Sequence, residues 1–309
     1  MEIIYAKSEV KREKPKNFDP KDELLFQQVW SSIRPECHLL LLENITVLKD
    51  TLLDPGKLMF YDKYSHVNGY KTYRKFKKLI RFIKNSIMSK TINIEKGIWI
   101  CDLWSGNYYH WFMDCIPRLL MAEKYLEEHV VIIPESFKSY SFIKESLALL
   151  GMKAVYVQPN VNYKVTKLLL PSEIGRIGQY RFELLSRVKE RFVKEADSIV
   201  GKRKIFIMRR PAKARNISNK DGMFEILNEF QYEIHYFEDY DLLKQIEIIK
   251  ETKILVGIHG AGLTNMVFMP KGGTVLEFRN GEDGSKLVNC FFTLASELGL
   301  NYYYTTNKS

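Results

Sequence analysis

A glycine-rich turn between two apolar stretches constrains the fold of this chain more than any other feature. Residues 253–258 form a short apolar run, and residues 257–262 contain three glycines together with His259. Apolar residues then resume at 263–269. This order predicts a strand, a tight turn and the start of a helix, a combination typical of α/β proteins. Backbone N–H groups at such a helix start, with the positive end of the helix dipole, suit a phosphate.

The spacing of this turn differs from that of the common nucleotide-binding motifs. Its glycines follow G-x-x-G-x-G rather than the G-x-G-x-x-G of dinucleotide folds, and no Lys-Ser or Lys-Thr pair of a P-loop follows. We expect glycine here because a Cβ would hold a ligand away or forbid a backbone with positive φ. We therefore predict a phosphate-binding turn made by His259, Gly260, Ala261, Gly262 and Leu263. The alternative is a tight structural turn that contains a structural histidine.

A second strand with a carboxylate at its end follows this turn. Residues 270–273 are predicted to form a turn, and residues 274–278 are predicted to form a strand that carries Glu277. Ligands of open parallel sheets lie at the carboxyl ends of the strands. Glu277 is therefore predicted to accept hydrogen bonds from ribose hydroxyls, and the alternative is a solvated strand end paired with a Lys or Arg.

Two arginines are candidates for binding the same anion. Arg209 follows the predicted strand 205–208, and Arg215 lies in the loop after it. The planar guanidinium binds phosphate oxygens through two hydrogen bonds at once. Arg210 is expected to point away from Arg209 on an extended chain, and it is the weaker candidate. The alternative for the whole segment is a solvated basic loop.

His110 and Asp114 are four residues apart, so a helix would place them on one face. A carboxylate beside an imidazole fixes its tautomer and raises its basicity. The pair is therefore predicted to be the general base for an acceptor hydroxyl. The alternative is a structural His–Asp pair. Pro117 would either kink this helix or start a new one.

The residues before His110 suit a loop that touches sugar. Asn107, Tyr108 and Tyr109 are the acceptor-side candidates, although they are equally ordinary turn and rim residues. Asp102 and Trp104 are assigned to structure alone.

Three groups of residues resemble, in the right order, the signature of glycosyltransferase family 61. They are residues 107–114 with 117–119, residues 207–219, and residues 259–265 with 268–270 and 275–277. The resemblance covers roughly residues 100–280 and departs from the family pattern at Lys220, where an acidic residue is expected. The family includes enzymes that add N-acetylglucosamine to secreted proteins and bacterial surface-polysaccharide transferases.

The resemblance implies an architecture and a mechanism. It implies the two-domain glycosyltransferase form called GT-B, in which two doubly wound Rossmann-like domains face each other across a cleft. The strand–helix alternation independently predicts parallel sheets. We expect an acceptor-side domain at residues 1–175 and a nucleotide-sugar-binding domain at residues 176–309. The resemblance further implies inversion at the anomeric carbon by direct displacement.

Composition and residue spacing limit which cofactors and partners are expected for this chain. The four cysteines show no C-x-x-C spacing, and no His, Cys, Asp or Glu cluster has metal-ligand spacing, so we expect no metal and no cofactor. The net charge is +10, yet no zinc-finger, basic-zipper or RNP pattern indicates nucleic acid. The first 21 residues are charged and lack an apolar leader, so a cytoplasmic location is expected.

The basic residues concentrate between residues 71 and 84, which hold seven Lys or Arg and no acid. Residues 71–87 as a helix would have an apolar stripe and a basic face, typical of a helix on an anionic membrane. The alternative is an ordinary domain helix with a solvated basic face.

Together these features predict a transferase that moves a sugar from a nucleotide diphosphate donor, with UDP as the expected nucleotide. The expected acceptor is a glycan or lipid-linked glycan of a bacterial cell surface. A nucleotide-sugar epimerase of the same fold and a non-catalytic glycan- or nucleotide-binding protein are the alternatives.

Overall fold

The computed structural model describes residues 1–61, 64, 80, 90–194, 199–210, 217 and 219–307. The chain forms two compact units: Met1–Ala6 with Glu36–Glu173, and Lys7–Pro35 with Ile174–Ser309. Residues 7–35 therefore belong to the second unit, which differs from the predicted division into residues 1–175 and 176–309.

The described residues contain β-strands throughout both units. In chain order they are β1 (Glu2–Tyr5), β2 (Ser8–Lys11), β3 (Ser31–Arg34), β4 (Cys37–Leu48), β5 (Thr51–Asp54), β6 (Met59–Phe60), β7 (Thr91–Trp99), β8 (Val130–Pro134), β9 (Ala154–Val157), β10 (Asn162–Pro171), β11 (Arg203–Met208), β12 (Glu233–Tyr236), β13 (Thr252–Ile258), β14 (Thr274–Asn280) and β15 (Asn301–Asn307).

Helical segments connect many of these strands. The α-helices are α1 (Glu23–Phe26), α2 (Tyr108–His110), α3 (Ile116–Met121), α4 (Ser141–Leu149), α5 (Phe182–Phe192), α6 (Lys220–Glu229), α7 (Leu242–Ile249) and α8 (Cys290–Glu297). A π turn at Trp111–Cys115 joins α2 to α3. Single 3₁₀ segments lie at Pro20–Asp22, Gln27–Val29, Glu123–Tyr125, Glu135–Ser139, Phe237–Asp239 and Ala261–Phe268.

The sheet of the first unit is mixed. Its order is β6-β5-β4-β10-β7-β8-β9, with β1 paired to β4. The strands from β10 to β9 run parallel, whereas β4 is antiparallel to both β5 and β10. Leu48 pairs with Thr51, so Lys49 and Asp50 form a two-residue hairpin turn that forces the antiparallel direction. The predicted parallel arrangement is thus correct for one half of this sheet only.

The sheet of the second unit is parallel throughout. Its order is β12-β11-β13-β14-β15, and every neighbouring pair is parallel. Numbered along the chain within this sheet, the order is 2-1-3-4-5, the doubly wound arrangement of flavodoxin-like folds. Phe206, Met208 and Val256 on one face pack with Leu227 of α6 to form an apolar core. This unit is therefore an α/β layer structure.

The apolar pattern of the sequence predicts a helix over residues 21–34 and another over residues 180–200. Both helices are shorter in the structure. The segment 21–34 breaks after Val29, because Ser31–Arg34 pairs as a strand with Ser8–Lys11. These hydrogen bonds reach a partner far along the chain and override the local apolar stripe. The helix predicted at 180–200 spans Phe182–Phe192.

The segment after the glycine turn is a 3₁₀ helix, Ala261–Phe268, whose residues from Leu263 onward are buried. A Cβ on Gly257 would lie 3.1 Å from Leu263 Cδ2, and one on Gly262 would lie 3.1 Å from Ile207 Cγ2. Gly260 has an extended backbone, with φ 161°. Close packing therefore explains Gly257 and Gly262, and none of these three glycines has the left-handed backbone that was expected.

The predicted basic helix at residues 71–87 lies outside the described residues except for residue 80, so its contact with a membrane stays a prediction. Among the described residues, every helix is too short or too polar to cross a bilayer. The apolar run 254–270 is instead a buried strand, turn and 3₁₀ helix.

Candidate active site

His110 and Asp114 form a hydrogen-bonded pair in the first unit. His110 Nδ1 lies 2.6 Å from Asp114 Oδ2, and both side chains are partly buried. Asn107 begins the helix, since its side-chain oxygen accepts a hydrogen bond from the Tyr109 N–H at 2.9 Å. The π turn that follows is a feature often found at functional sites. Pro117 lies near the start of α3, directly after this π turn, and the helix continues through the proline.

The electrostatics of the pair suit proton transfer. Burial raises the pKa of Asp114, and the hydrogen bond from His110 opposes that rise. When Nδ1–H donates to the carboxylate, the other ring nitrogen of His110 is the one that can accept a proton. The geometry fits a general base, and that role stays a prediction.

The acceptor-side candidates surround this pair in different environments. Asn107 is exposed, and Tyr108 packs against the rings of Phe112 and Phe142. Tyr109 is buried, with its ring edge-on to His110. Of the three, only Asn107 and part of Tyr108 are therefore accessible to a ligand.

In the second unit, the histidine of the glycine turn forms a second histidine–carboxylate pair. His259 Nδ1 lies 2.5 Å from Glu277 Oε1, and Tyr302 donates its hydroxyl to Glu277 Oε2 at 2.5 Å. The Glu277 side chain is fully buried. Burial raises the pKa of Tyr302 well above its ordinary value, so this hydroxyl stays a donor.

This arrangement differs from both sequence interpretations of Glu277. Both carboxylate oxygens are engaged inside the sheet, so Glu277 neither contacts solvent nor offers an oxygen to a ribose in this geometry. Its contact with His259 makes it a positioning residue for that imidazole. The sequence did not indicate Tyr302, because a tyrosine on an edge strand carries no local signal of what it binds.

The two sequence-adjacent arginines have different surroundings. Arg210 is exposed, forms a two-point ion pair with Asp239 and lies over the Tyr236 ring. Arg209 is half-buried, and no acidic residue pairs with it in the described part of the chain. Arg215 falls outside the described residues. An unpaired, half-buried guanidinium is the feature here that most needs an anionic partner.

The strand register puts Arg209 and His259 just past the carboxyl ends of two adjacent parallel strands. Ile207 of β11 pairs with Gly257 of β13, so Arg209 and His259 each follow that pair by two residues. The connection after β11 leads to α6 on the face of Phe206, whereas Leu263 and Gly262 after β13 pack on the opposite face. The helical segments that follow these two adjacent strands thus pack on opposite faces of the sheet, which is the switch-point arrangement at which doubly wound sheets bind ligands.

The described residues contain no group of three or more His, Cys, Asp or Glu side chains that could hold a metal ion. Metal independence stays a prediction, since other residues could contribute ligands.

Comparison with known proteins shows which family this chain resembles. The family model described as Glycosyltransferase 61 matches residues 108–276, which are more than half of the chain. The match includes His110, Asp114 and His259, and it ends one residue before Glu277. The EGF domain-specific O-linked N-acetylglucosamine transferase of Mus musculus is 32% identical over 107 residues, which are 33% of this chain and 20% of that protein. The protein of the same description from Drosophila melanogaster is 32% identical over 102 residues, 32% of this chain and 19% of its own length. The chain thus spans about a fifth of the length of these curated relatives. By the extent of its match to the family model, the chain belongs to the glycosyltransferase 61 family.

Proposed function

We propose that this protein is an inverting, metal-independent glycosyltransferase that uses a nucleotide diphosphate sugar, with UDP as the nucleotide. The observation that carries the proposal is that Arg209 and His259 each follow the carboxyl end of one of the two strands at the switch point of a 2-1-3-4-5 parallel sheet. A cationic side chain and the backbone amides of a glycine turn suit a diphosphate there. Family membership supports sugar transfer as the reaction that uses it.

The proposed mechanism divides its work between named groups. His110, held by Asp114, takes the proton of the acceptor hydroxyl as the oxygen attacks the anomeric carbon. The bond from that carbon to the diphosphate breaks, and Arg209, Arg215 and the amides of residues 260–262 stabilise the departing charge. Attack opposite the leaving group inverts the anomeric configuration. The two-domain GT-B form with facing Rossmann-like domains belongs to this proposal.

We propose a first donor to test and a class of acceptor for this reaction. The relatives named above transfer N-acetylglucosamine according to their names, so UDP-N-acetylglucosamine is the first donor to test. We propose a hydroxyl of a cell-surface polysaccharide or glycolipid as acceptor, and a protein hydroxyl is the competing class. A cytoplasmic location, with contact of residues 71–87 to an anionic membrane, completes the proposal.

We expect slow hydrolysis of one UDP-sugar from a panel, measured as UDP release, with the rate unchanged by EDTA. In this assay, water takes the place of the acceptor hydroxyl. Arginine side chains and backbone amides, rather than a metal ion, stabilise the departing diphosphate. Return of an isomerised UDP-sugar would instead indicate an epimerase, and UDP binding without turnover a binding protein. A strict requirement for Mn²⁺ or Mg²⁺ would contradict the mechanism.

Arg209→Ala should weaken UDP binding roughly tenfold or more, the loss of about one charge-assisted hydrogen bond. The neighbouring Arg210→Ala is the matched control, because its guanidinium is engaged by Asp239. Calorimetric titration with UDP should show a weaker Kd for the first variant and an unchanged Kd for the second. Equal losses in both variants would indicate a general effect of positive charge and remove Arg209 from the site.

A further inference from the structure

Trp104 is an exposed indole beside the His110–Asp114 pair. Its exposed fraction is 63%, whereas Trp99 and Trp111 are completely buried. The ring stacks on the imidazole of His110, with centroids 6.0 Å apart and planes 29° from parallel. One face of the indole is therefore supported by the candidate base, and much of the ring faces solvent. Large apolar side chains left exposed next to a polar site indicate ligand contact more than structure.

The loop that carries Trp104 is held by local hydrogen bonds. The Trp104 N–H donates to Asp102 Oδ1 at 2.8 Å, and the Trp104 carbonyl accepts from the Asn107 N–H at 2.9 Å. Ser105 Oγ donates to the same Asp102 oxygen at 3.0 Å and accepts from the Asp102 N–H at 2.8 Å. These contacts fix the backbone on both sides of the indole, so the ring is presented in a defined place before any ligand binds.

We propose that Trp104 is a stacking platform for a pyranose ring of the acceptor, which binds next to the His110–Asp114 pair. A pyranose has one face of C–H groups and a rim of hydroxyls, and it needs an aromatic plane with polar groups at its edge. The solvent-facing side of the indole supplies that plane, and the exposed Asn107 lies nearby in the same loop, where its N–H donates to the Trp104 carbonyl. An apolar peptide side chain would need an enclosed apolar pocket instead. The identification of this sugar as the acceptor rests on the proposed transferase function.

The binding experiment uses the full chain labelled with 5-fluorotryptophan. Its four tryptophans give four ¹⁹F resonances, and the Trp104 signal is assigned by its loss in Trp104→Phe. The probes are methyl β-D-glucopyranoside, methyl β-D-galactopyranoside and methyl β-D-xylopyranoside, and mannitol is an acyclic polyol control. We expect a saturable shift of the Trp104 resonance with at least one glycoside, and none with mannitol.

The variants are tested by saturation-transfer NMR observed on the glycoside protons. Trp104→Ala should weaken binding about tenfold, and Trp104→Phe should restore part of it, because phenylalanine keeps an aromatic face. Leu103→Ala is the matched control, since Leu103 is an exposed apolar residue of the same loop. It should bind glycoside like the wild type.

Each outcome decides between named possibilities. The platform is overturned if no glycoside shifts the Trp104 resonance, if mannitol shifts it equally, or if only N-acetylphenylalanine amide does, which would indicate a peptide ligand. Calorimetry with UDP on the same protein tests the transferase function separately. UDP binding without a glycoside shift overturns only the platform. A glycoside shift without UDP binding keeps a glycan-binding platform and overturns the transferase.

Discussion

Replacing His110 by alanine should lower sugar transfer by roughly 10²–10⁴-fold, the usual contribution of a positioned general base. Asp114→Asn should have a smaller effect in the same direction, because asparagine keeps a hydrogen bond to His110 Nδ1 but removes the charge that raises its basicity. UDP affinity should stay near the wild-type value in both variants, since the proposed nucleotide site is built from residues of the second unit. Turnover is measured as UDP release with the donor found in the panel.

His129→Ala provides the control for losing a buried histidine from the same unit. His129 is also buried, and its Nδ1 is hydrogen-bonded to the Tyr125 carbonyl oxygen. Thermal unfolding of all three variants separates a catalytic loss from a folding defect. If His110→Ala keeps wild-type turnover, or loses activity only in proportion to its unfolded fraction, the pair is structural.

Replacing Glu277 by alanine should both destabilise the protein and abolish most UDP binding. The substitution leaves the Tyr302 hydroxyl without its buried acceptor and the His259 Nδ1–H without its carboxylate. Each donor left without its buried acceptor costs about 1–3 kcal/mol, and alanine leaves two such donors. Glu277→Gln keeps the volume and one acceptor oxygen, so its cost should be smaller, about 1–3 kcal/mol for the donor left unpaired. Chemical unfolding measures the free energy, and UDP titration measures the binding.

Glu297→Gln is the control that separates stability from binding. Glu297 is likewise buried in the second unit, where it pairs with Arg34 and accepts from the Phe182 N–H, so its loss should also destabilise the fold. Of these two variants, the Glu277 variant should lose UDP affinity, because Glu277 and not Glu297 is hydrogen-bonded to His259. Wild-type UDP affinity in a folded Glu277→Gln protein would show that the glycine turn binds without this support.

Much of the second sheet can be predicted because its signals are local. Short apolar runs separated by helical patterns mark β11 to β15. Strands that alternate with helices in this way are expected to run parallel and to be joined by right-handed crossovers. The register then places Arg209 and His259 after the ends of adjacent strands, although they lie far apart along the chain. Two residues that each follow the end of a strand become neighbours whenever their strands are adjacent, so sequence reasoning reaches this pair.

The first sheet is less predictable for an equally physical reason. The apolar run at β4 is compatible with either direction, and the two-residue hairpin at Lys49 and Asp50 decides it. Lys49 occupies the left-handed region, with φ 58°, without the glycine that usually marks such a turn. The strand Ser31–Arg34 is similar, since its pairing depends on Ser8–Lys11 and not on its own pattern.

The sequence by itself determined the features whose physics is local: the five strands of the second sheet, the glycine turn at their carboxyl edge, and the spacing that lets His110 reach Asp114. Only the tertiary structure decided the environment of Glu277, the stacking of Trp104 on His110, and the inclusion of residues 7–35 in the second unit. These depend on which distant segments pack together. Periodicity shows which way a side chain points, but it does not show which partner lies there. A carboxylate within a strand therefore looks the same in the sequence whether it faces a ligand or is held by Tyr302 and His259.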